Sequence, residues 1–245
     1  MFDKENFKIK YETKFIVEKQ NIVILTGAGI SAESGIKTFR DSDGLWENHR
    51  IEDVATFDAW LKNKELVLDF YNQRRKQLLD CEPNEAHKLL VVLEEKYNVQ
   101  IITQNVDDLH ERAGSTHVLH LHGELFKVRS TIDEHLIYEW KKDLTTEDKC
   151  EKGAQLRPHI VWFGEQVPMI NVAENIARTA DIFIVIGTSM VVYPAAGLIH
   201  CVNYNAPKFV IDPNKPTISK FKNLEYITEK ASVGVKKLVD KLMND

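Results

Sequence analysis

The sequence predicts an α/β protein: a doubly wound parallel sheet with a smaller inserted module. Short apolar runs rich in β-branched residues recur along the chain, at Ile22 to Leu25, Val99 to Thr103, Ile182 to Ile186 and Phe209 to Ile211. Runs of helical spacing separate them, which is the alternation of a parallel sheet. From about Leu125 to Pro158 that alternation stops. The stretch is charged and irregular, with no run suited to a central strand, and reads as the inserted module. At 245 residues and 43% hydrophobic, the chain can bury a core of this size.

Residues 1–20 place Phe7, Tyr11, Phe15 and Ile16 among charges, a partly helical spacing that predicts an amphipathic lead-in. Ile22 to Leu25 then form a buried parallel strand. After it, Gly27, Gly29 and Ala32 fit the G-x-G-x-x-A form of the dinucleotide fingerprint, in which glycine permits close backbone approach and the following helix N-terminus meets a pyrophosphate. A strand, two glycines and a helix also describe a plain tight turn, so both readings stand at this point. A triphosphate-binding loop is excluded, because Ser34, Gly35, Ile36 and Lys37 are in the wrong order for it.

Residues 38–50 are dense in turn formers and read as a long loop. From Thr56 to Leu79 the spacing predicts a helix with Leu66, Val67, Phe70 and Leu78 inward. Pro83 and Asn84 open a second helix, before the strand at 99–103. Strand-like runs follow at Val118 to Leu125 and Ile160 to Gly164, and a helix near Ala173 to Arg178 precedes the last two strands.

A net charge of −5 with 28% charged residues gives no basic footprint for nucleic acid. Cys81, Cys150 and Cys201 are widely spaced and form no C-x-x-C pair, which fits a reducing compartment. No run reaches membrane-span length and the N-terminus lacks a signal-peptide core. The expectation is a cytoplasmic protein with neither nucleic acid nor membrane as partner.

Three stretches sit at the ends of predicted strands, where open α/β sheets place ligands: Thr103 to His110, His120 to Glu124, and Gly187 to Ser189. Amides, a carboxylate and a histidine converging on a glycine loop describe a site that holds a ribose and moves a proton. With GAGISAESGI, TQNVDDLHERAG, LHLHGE, VWFGE and IGTS in this order, the chain closely resembles the sirtuins, NAD-dependent protein lysine deacylases. The resemblance spans about residues 20 to 240.

It implies a Rossmann-like NAD-binding domain from 1–36, 80–124 and 159–245. Residues 37–79 become a cofactor-binding loop and the helical part of a small domain, and 125–158 the small-domain insert. NAD would be consumed: nicotinamide leaves, and the acyl group of an acylated protein lysine ends on ADP-ribose. By position, Gly27, Ala28, Gly29 and Ser31 would line the phosphates and ribose, with Phe39 and Arg40 covering the cofactor. Gln104, Asn105 and Asp107 would hold the ribose and nicotinamide, and Gly187, Thr188, Ser189 and Asp212 would complete the cofactor site. Asp212 stands where many relatives have asparagine. His122 would be the general base, a task suited to a group whose ordinary pKa is near 6.5. Taken alone, His122 also reads as a structural histidine, or with His120 as a metal pair. The substrate backbone would pair as an extended strand between Val161 to Glu165, including Phe163 and Gly164, and Val191 to Pro194, including Val192.

Two features go further. Tyr71 and Arg74 stand three residues apart, on one helix face. They match the Tyr-x-x-Arg pair of sirtuins that accept succinyl-, malonyl- or glutaryl-lysine, where they would bind the distal carboxylate; without that resemblance, Arg74, Arg75 and Lys76 read as a solvated face. This places the chain near the bacterial desuccinylase and demalonylase branch, expected to remove acetyl groups as well. The second feature is a departure. Most sirtuins carry four zinc cysteines in the small domain, but the first position is Ser130 here and only Cys150 remains of the second pair. A lone thiolate cannot close a tetrahedral zinc site, so zinc is not expected, and Ile132, Leu136, Ile137, Tyr138 and Trp140 are the candidate replacement core. ADP-ribosyl transfer or NAD hydrolysis at the same site, and an NAD-responsive binding module without turnover, are the competing readings.

Overall fold

The computed structural model describes residues 19–37, 45–46, 49–216 and 221–244. The lead-in through residue 18 and the cofactor-loop candidates Phe39 and Arg40 lie outside them.

The first strand, β1 (Asn21–Thr26), leads into two short 3-10 turns at Ala28–Ile30 and Ala32–Ser34. The expected helix after the glycines is therefore absent as an α-helix. Two-residue strands β2 (Leu45–Trp46) and β3 (His49–Arg50) pair antiparallel. Three helices follow: α1 (Ile51–Val54), α2 (Phe57–Lys62) and α3 (Lys64–Asp80). The run read as one helix from 56 to 79 thus breaks at Asn63. Its side chain accepts from the Leu66 N–H at 3.0 Å and caps α3, the local bonding that favours asparagine at helix starts. Thr56 caps α2 in the same way. Helix α4 (Glu85–Val92) is capped by Asn84, whose amide also donates to the Ile30 carbonyl at 2.7 Å and ties this helix to the glycine loop.

The remaining elements are β4 (Asn98–Thr103), α5 (Leu109–Ala113), β5 (Val118–His120), β6 (Gly123–Ser130), β7 (Ile137–Glu139), β8 (Leu156–Ile160), α6 (Ile170–Arg178), β9 (Ile182–Ile186), β10 (Lys208–Ile211), β11 (Leu224–Ile227) and α7 (Ala231–Asn244). Six strands form one parallel sheet in the order β11-β10-β9-β1-β4-β5. The direction of winding reverses beside β1, the switch point at which such sheets leave a crevice. Apolar side chains cover both faces: Ile22, Ile24 and Ile184 pack toward α4 and α7, and Val23, Leu25 and Val185 toward α6.

The run at 118–125 divides: Val118–His120 joins the parallel sheet as β5, while its remainder opens β6, and the run at 160–164 lies almost wholly past the end of β8. The chain turns at Gly123, with φ +85°, and β6 pairs antiparallel with β7 and β8 in a separate sheet. A Cβ at Gly123 would come within 2.0 Å of the His159 carbonyl oxygen, so only glycine lets β6 cross β8 there. A third core joins this sheet to α2 and α3 through Trp60, Val67, Phe70, Val128, Leu144, Leu156 and Trp162. Leu136, Tyr138 and Trp140 pack against it as expected. Ile132 and Ile137 do not; both are exposed, Ile132 in the bend after β6 and Ile137 on the outward side of the edge strand β7. Among the described residues no helix is long and apolar enough to cross a membrane.

Candidate active site

The loops leaving β1 and β9 meet backbone to backbone. Gly27 N–H donates to the Ile186 carbonyl at 3.0 Å and Gly29 N–H to the Gly187 carbonyl at 2.8 Å. A Cβ at Gly29 would stand 2.6 Å from the Gly187 Cα, and one at Gly27 would stand 2.8 Å from the Thr188 Cβ. No side chain fits between these loops. Bare backbone at the carboxyl ends of β1 and β9, with Ala28 and Gly29 half-buried, is a cradle suited to a pyrophosphate.

Beneath the cradle lies a buried polar network. Ser31 Oγ donates to Asp107 Oδ2 at 3.0 Å and accepts from Asn105 Nδ2 at 3.1 Å, while that amide also reaches the Gly27 carbonyl at 3.2 Å. Burial pushes the Asp107 carboxyl up to about 6, against the opposing pull of the Leu109 N–H and the Ser31 hydroxyl. Gln104 Nε2 donates to Thr188 Oγ1 at 3.2 Å, joining the ends of β4 and β9. Ser189 is half-buried on the same loop. Asp212 is buried past the end of β10, where its Oδ1 accepts from the Asn214 N–H. The described cofactor candidates of the glycine loop, the 104–107 stretch and the 187–189 loop thus share one end of the sheet.

His122 sits between β5 and β6. Its Nδ1 lies 3.1 Å from the Gln104 carbonyl. A carbonyl only accepts, so Nδ1 carries the hydrogen and Nε2 keeps its lone pair. Burial holds the imidazole below its ordinary value, partly countered by that carbonyl. His120 differs: Nδ1 faces the Asn105 carbonyl at 3.2 Å and Nε2 meets Glu111 Oε1 at 2.7 Å. Burial draws its pKa down, but the Glu111 carboxylate more than offsets this and the net shift is upward. With both nitrogens engaged, His120 is no partner for His122 in a metal pair.

Tyr71 and Arg74 both point inward from α3 and are buried, as is Arg75. The Tyr71 hydroxyl accepts from Trp162 Nε1 at 3.0 Å. Arg75 is built into the structure, with Nε on the Leu125 carbonyl at 3.1 Å and Nη1 on Asn72 at 2.7 Å. Only Lys76 of the three cations fits a solvated face. In the candidate peptide-pairing segments, Phe163, Val191 and Tyr193 expose large apolar surface, Val192 is half-buried and Gly164 is exposed. Val161 N–H is used by the His122 carbonyl. Glu165 faces inward, its oxygens 2.7 and 3.0 Å from Arg157.

The sequence reading named Thr103 and His110 only as the ends of a stretch and gave no role to Thr26; the three chain together behind the site. Thr26 Oγ1 lies 2.9 Å from Thr103 Oγ1 and 3.1 Å from His110 Nε2. Two polar residues closing apolar strands, Thr26 on β1 and Thr103 on β4, are the signal that could have found them. Arg157 was also passed over.

The Sir2 family matches residues 27–194. The chain belongs to the Sir2 family. An NAD-dependent protein deacylase of Helicobacter pylori strain J99 is 54% identical over 224 residues, covering 91% of this chain and 96% of that protein. A Sir2 homologue solved in complex with NAD is 40% identical, covers 93% of this chain and 91% of its own, and superposes with a TM-score of 0.83. A Sir2 protein solved with a deacetylated p53 peptide and 3′-O-acetyl ADP-ribose is 30% identical, covers 91% and 95%, and gives 0.76. All match a Sir2 fold over nearly the full chain.

Cys150 Sγ lies 3.3 Å from Ser130 Oγ, and both residues are buried. The Ser130 hydrogen bond draws the thiol pKa down.

Proposed function

We propose that this Sir2 protein is an NAD-dependent protein lysine deacylase that accepts succinyl- and malonyl-lysine as well as acetyl-lysine. The observation that carries the reading is His122: Nδ1–H fixed on the Gln104 carbonyl, Nε2 left as the proton acceptor, and a lowered pKa that keeps the ring neutral at pH 7. The bare backbone at Gly27, Gly29 and Gly187 fits a dinucleotide, with Ser31, Gln104, Asn105, Asp107, Thr188, Ser189 and Asp212 around it. When bound, NAD supplies the ADP-ribose that accepts the acyl group, with release of nicotinamide.

His122 Nε2 takes the proton that the acceptor hydroxyl loses. The Gln104 carbonyl stabilises the imidazolium, because the same Nδ1–H bond strengthens once the ring is charged. Phe163, Val191 and Tyr193 offer apolar surface to an extended acylated peptide, with backbone pairing giving affinity and little side-chain preference. Tyr71 and Arg74 support the acidic-acyl reading, since a phenol and a guanidinium on one buried helix face suit a carboxylate.

The test is mass spectrometry of matched acetyl- and succinyl-lysine peptides with NAD, using His122→Ala as control. Free lysine peptide with acyl-ADP-ribose, faster from succinyl and lost in the control, is expected. Acetyl-only turnover rejects the acyl preference. Nicotinamide release with the peptide unchanged favours hydrolysis or ADP-ribosyl transfer instead.

A further inference from the structure

The segment after β8 is pinned residue by residue. Val161 N–H donates to the His122 carbonyl at 2.9 Å and Phe163 N–H to the Ala55 carbonyl at 3.0 Å. Between them, Trp162 N–H donates to Glu165 Oε2 at 2.8 Å. Glu165 is itself gripped by both Arg157 terminal nitrogens and approached by Arg129 Nη2 at 3.5 Å. The Arg157 guanidinium carbon lies 3.5 Å from the centroid of the Trp162 ring, stacked on its face, and Trp60 stands 5.7 Å away. This indole, 2% exposed, has no room to turn.

Its edge meets Tyr71. An indole N–H can only donate, so the phenol oxygen must accept from Trp162 Nε1, and the phenol hydrogen is turned away from that contact. Burial raises the Tyr71 pKa above its ordinary value, so the hydroxyl keeps its hydrogen at neutral pH. A carboxylate only accepts; a phenol oriented as a donor suits it, and one presenting lone pairs repels it.

We propose that Trp162, clamped by Arg157 and Glu165, is a positioning residue that sets the Tyr71 hydroxyl as a hydrogen-bond donor to the distal carboxylate of an acidic acyl chain. This rests on the reading of Tyr71 and Arg74 as the acyl-selecting pair. The contribution is selective by chemistry, because an acetyl group carries no distal acceptor.

The test is steady-state kinetics of wild type, Trp162→Phe, Tyr71→Phe and the double variant on matched succinyl- and acetyl-lysine peptides. Trp162→Phe keeps an aromatic ring under Arg157 and removes the donated hydrogen bond together with some buried volume, a loss of packing that both peptides would feel alike. It is expected to lower the succinyl-to-acetyl ratio of kcat/KM by about tenfold, the size of one hydrogen bond to a charged group, through a raised succinyl KM. Added to Tyr71→Phe, it should cause no further loss of that ratio, since the two act through one contact. An unchanged ratio, including an equal loss on both peptides, overturns the proposal. Should Trp162→Phe not fold, Arg157→Lys keeps a charge beside Glu165 but removes the planar stack, and must give the same acyl-selective shift. A wild type without succinyl preference refutes the acyl-selecting pair itself. A wild type with that preference and an indifferent Trp162→Phe refutes only the positioning role.

Discussion

The His122 ring and the Gln104 main chain are linked at 3.1 Å, so the tautomer of the proposed base is set by a backbone atom that no substitution at position 104 can remove. A tautomer held by a main-chain carbonyl survives side-chain change. The expected consequence appears in the pH profile. The acid limb of kcat/KM should have an apparent pKa below 6.5, following the direction of the His122 shift, with activity rising as the ring loses its proton. His122→Ala should lose roughly 10²- to 10⁴-fold in rate, the usual range for a general base. A limb centred above 6.5 would assign the base elsewhere.

Replacing Arg74 with methionine keeps bulk and removes the charge. The succinyl-to-acetyl ratio of kcat/KM should fall by about ten- to 150-fold, the equivalent of 1.5–3 kcal/mol for a charged hydrogen bond. Competition between the two peptides in one reaction measures it directly, and a ratio that stays put would reject the pair.

Gly29→Ala forces a methyl against the Gly187 backbone, where neither loop can yield by rotating a side chain. Thermal unfolding should show a loss of about 1–3 kcal/mol, as for other overpacked sites. Calorimetric NAD binding should weaken with it. A variant of wild-type stability would mean that the two loops part easily.

His87 lies fully buried with its ring 4.9 Å from that of His110, and burial pulls its pKa down to about 4. Below 6.5 the unfolded chain binds a proton that the folded one refuses. Stability should therefore fall as pH drops through 6.5 and level off near 4, by about 3 kcal/mol from His87. His110 is shifted in the same direction. Urea midpoints at pH 7, 6 and 5 check the slope, and His87→Leu should flatten it.

We expect zinc far below one equivalent by elemental analysis of purified protein, and a Tm unchanged by chelators. The buried Ser130–Cys150 contact and the packing of Val128, Leu144 and Leu156 support this expectation. One equivalent of bound zinc would refute it.

The parallel sheet was legible because β1, β4, β9 and β10 announce themselves as short apolar runs, and each is buried on both faces. The close approach at the glycine loop was legible for a similar reason, being written in local spacing, whereas spacing alone put Arg74 and Arg75 on a solvated face and the structure buries both. The antiparallel sheet was not legible. Strand β6 carries Lys127 and Arg129 among its apolar residues, so its run looked like a tail of β5 until Gly123 turned it. Ile137 misled because hydrophobicity alone cannot say which strand lies at an edge, and Ile132 because it cannot say where a strand ends and a bend begins. Arg157 offered no local signal, since its partners Glu165 and Trp162 meet it only after β8 ends and the chain doubles back.

The interlock of Gly27 and Gly29 with Gly187 and Thr188 bears on how this protein can be recombined. The two loops are separated by about 160 residues of sequence, yet each is shaped to the other's main chain. A chimera that imports one loop from a distant relative would set mismatched backbones against each other, whereas one that exchanges both keeps the fit. In breeding variants of this enzyme, the unit of inheritance is therefore the pair, and crossover points belong outside it on both sides.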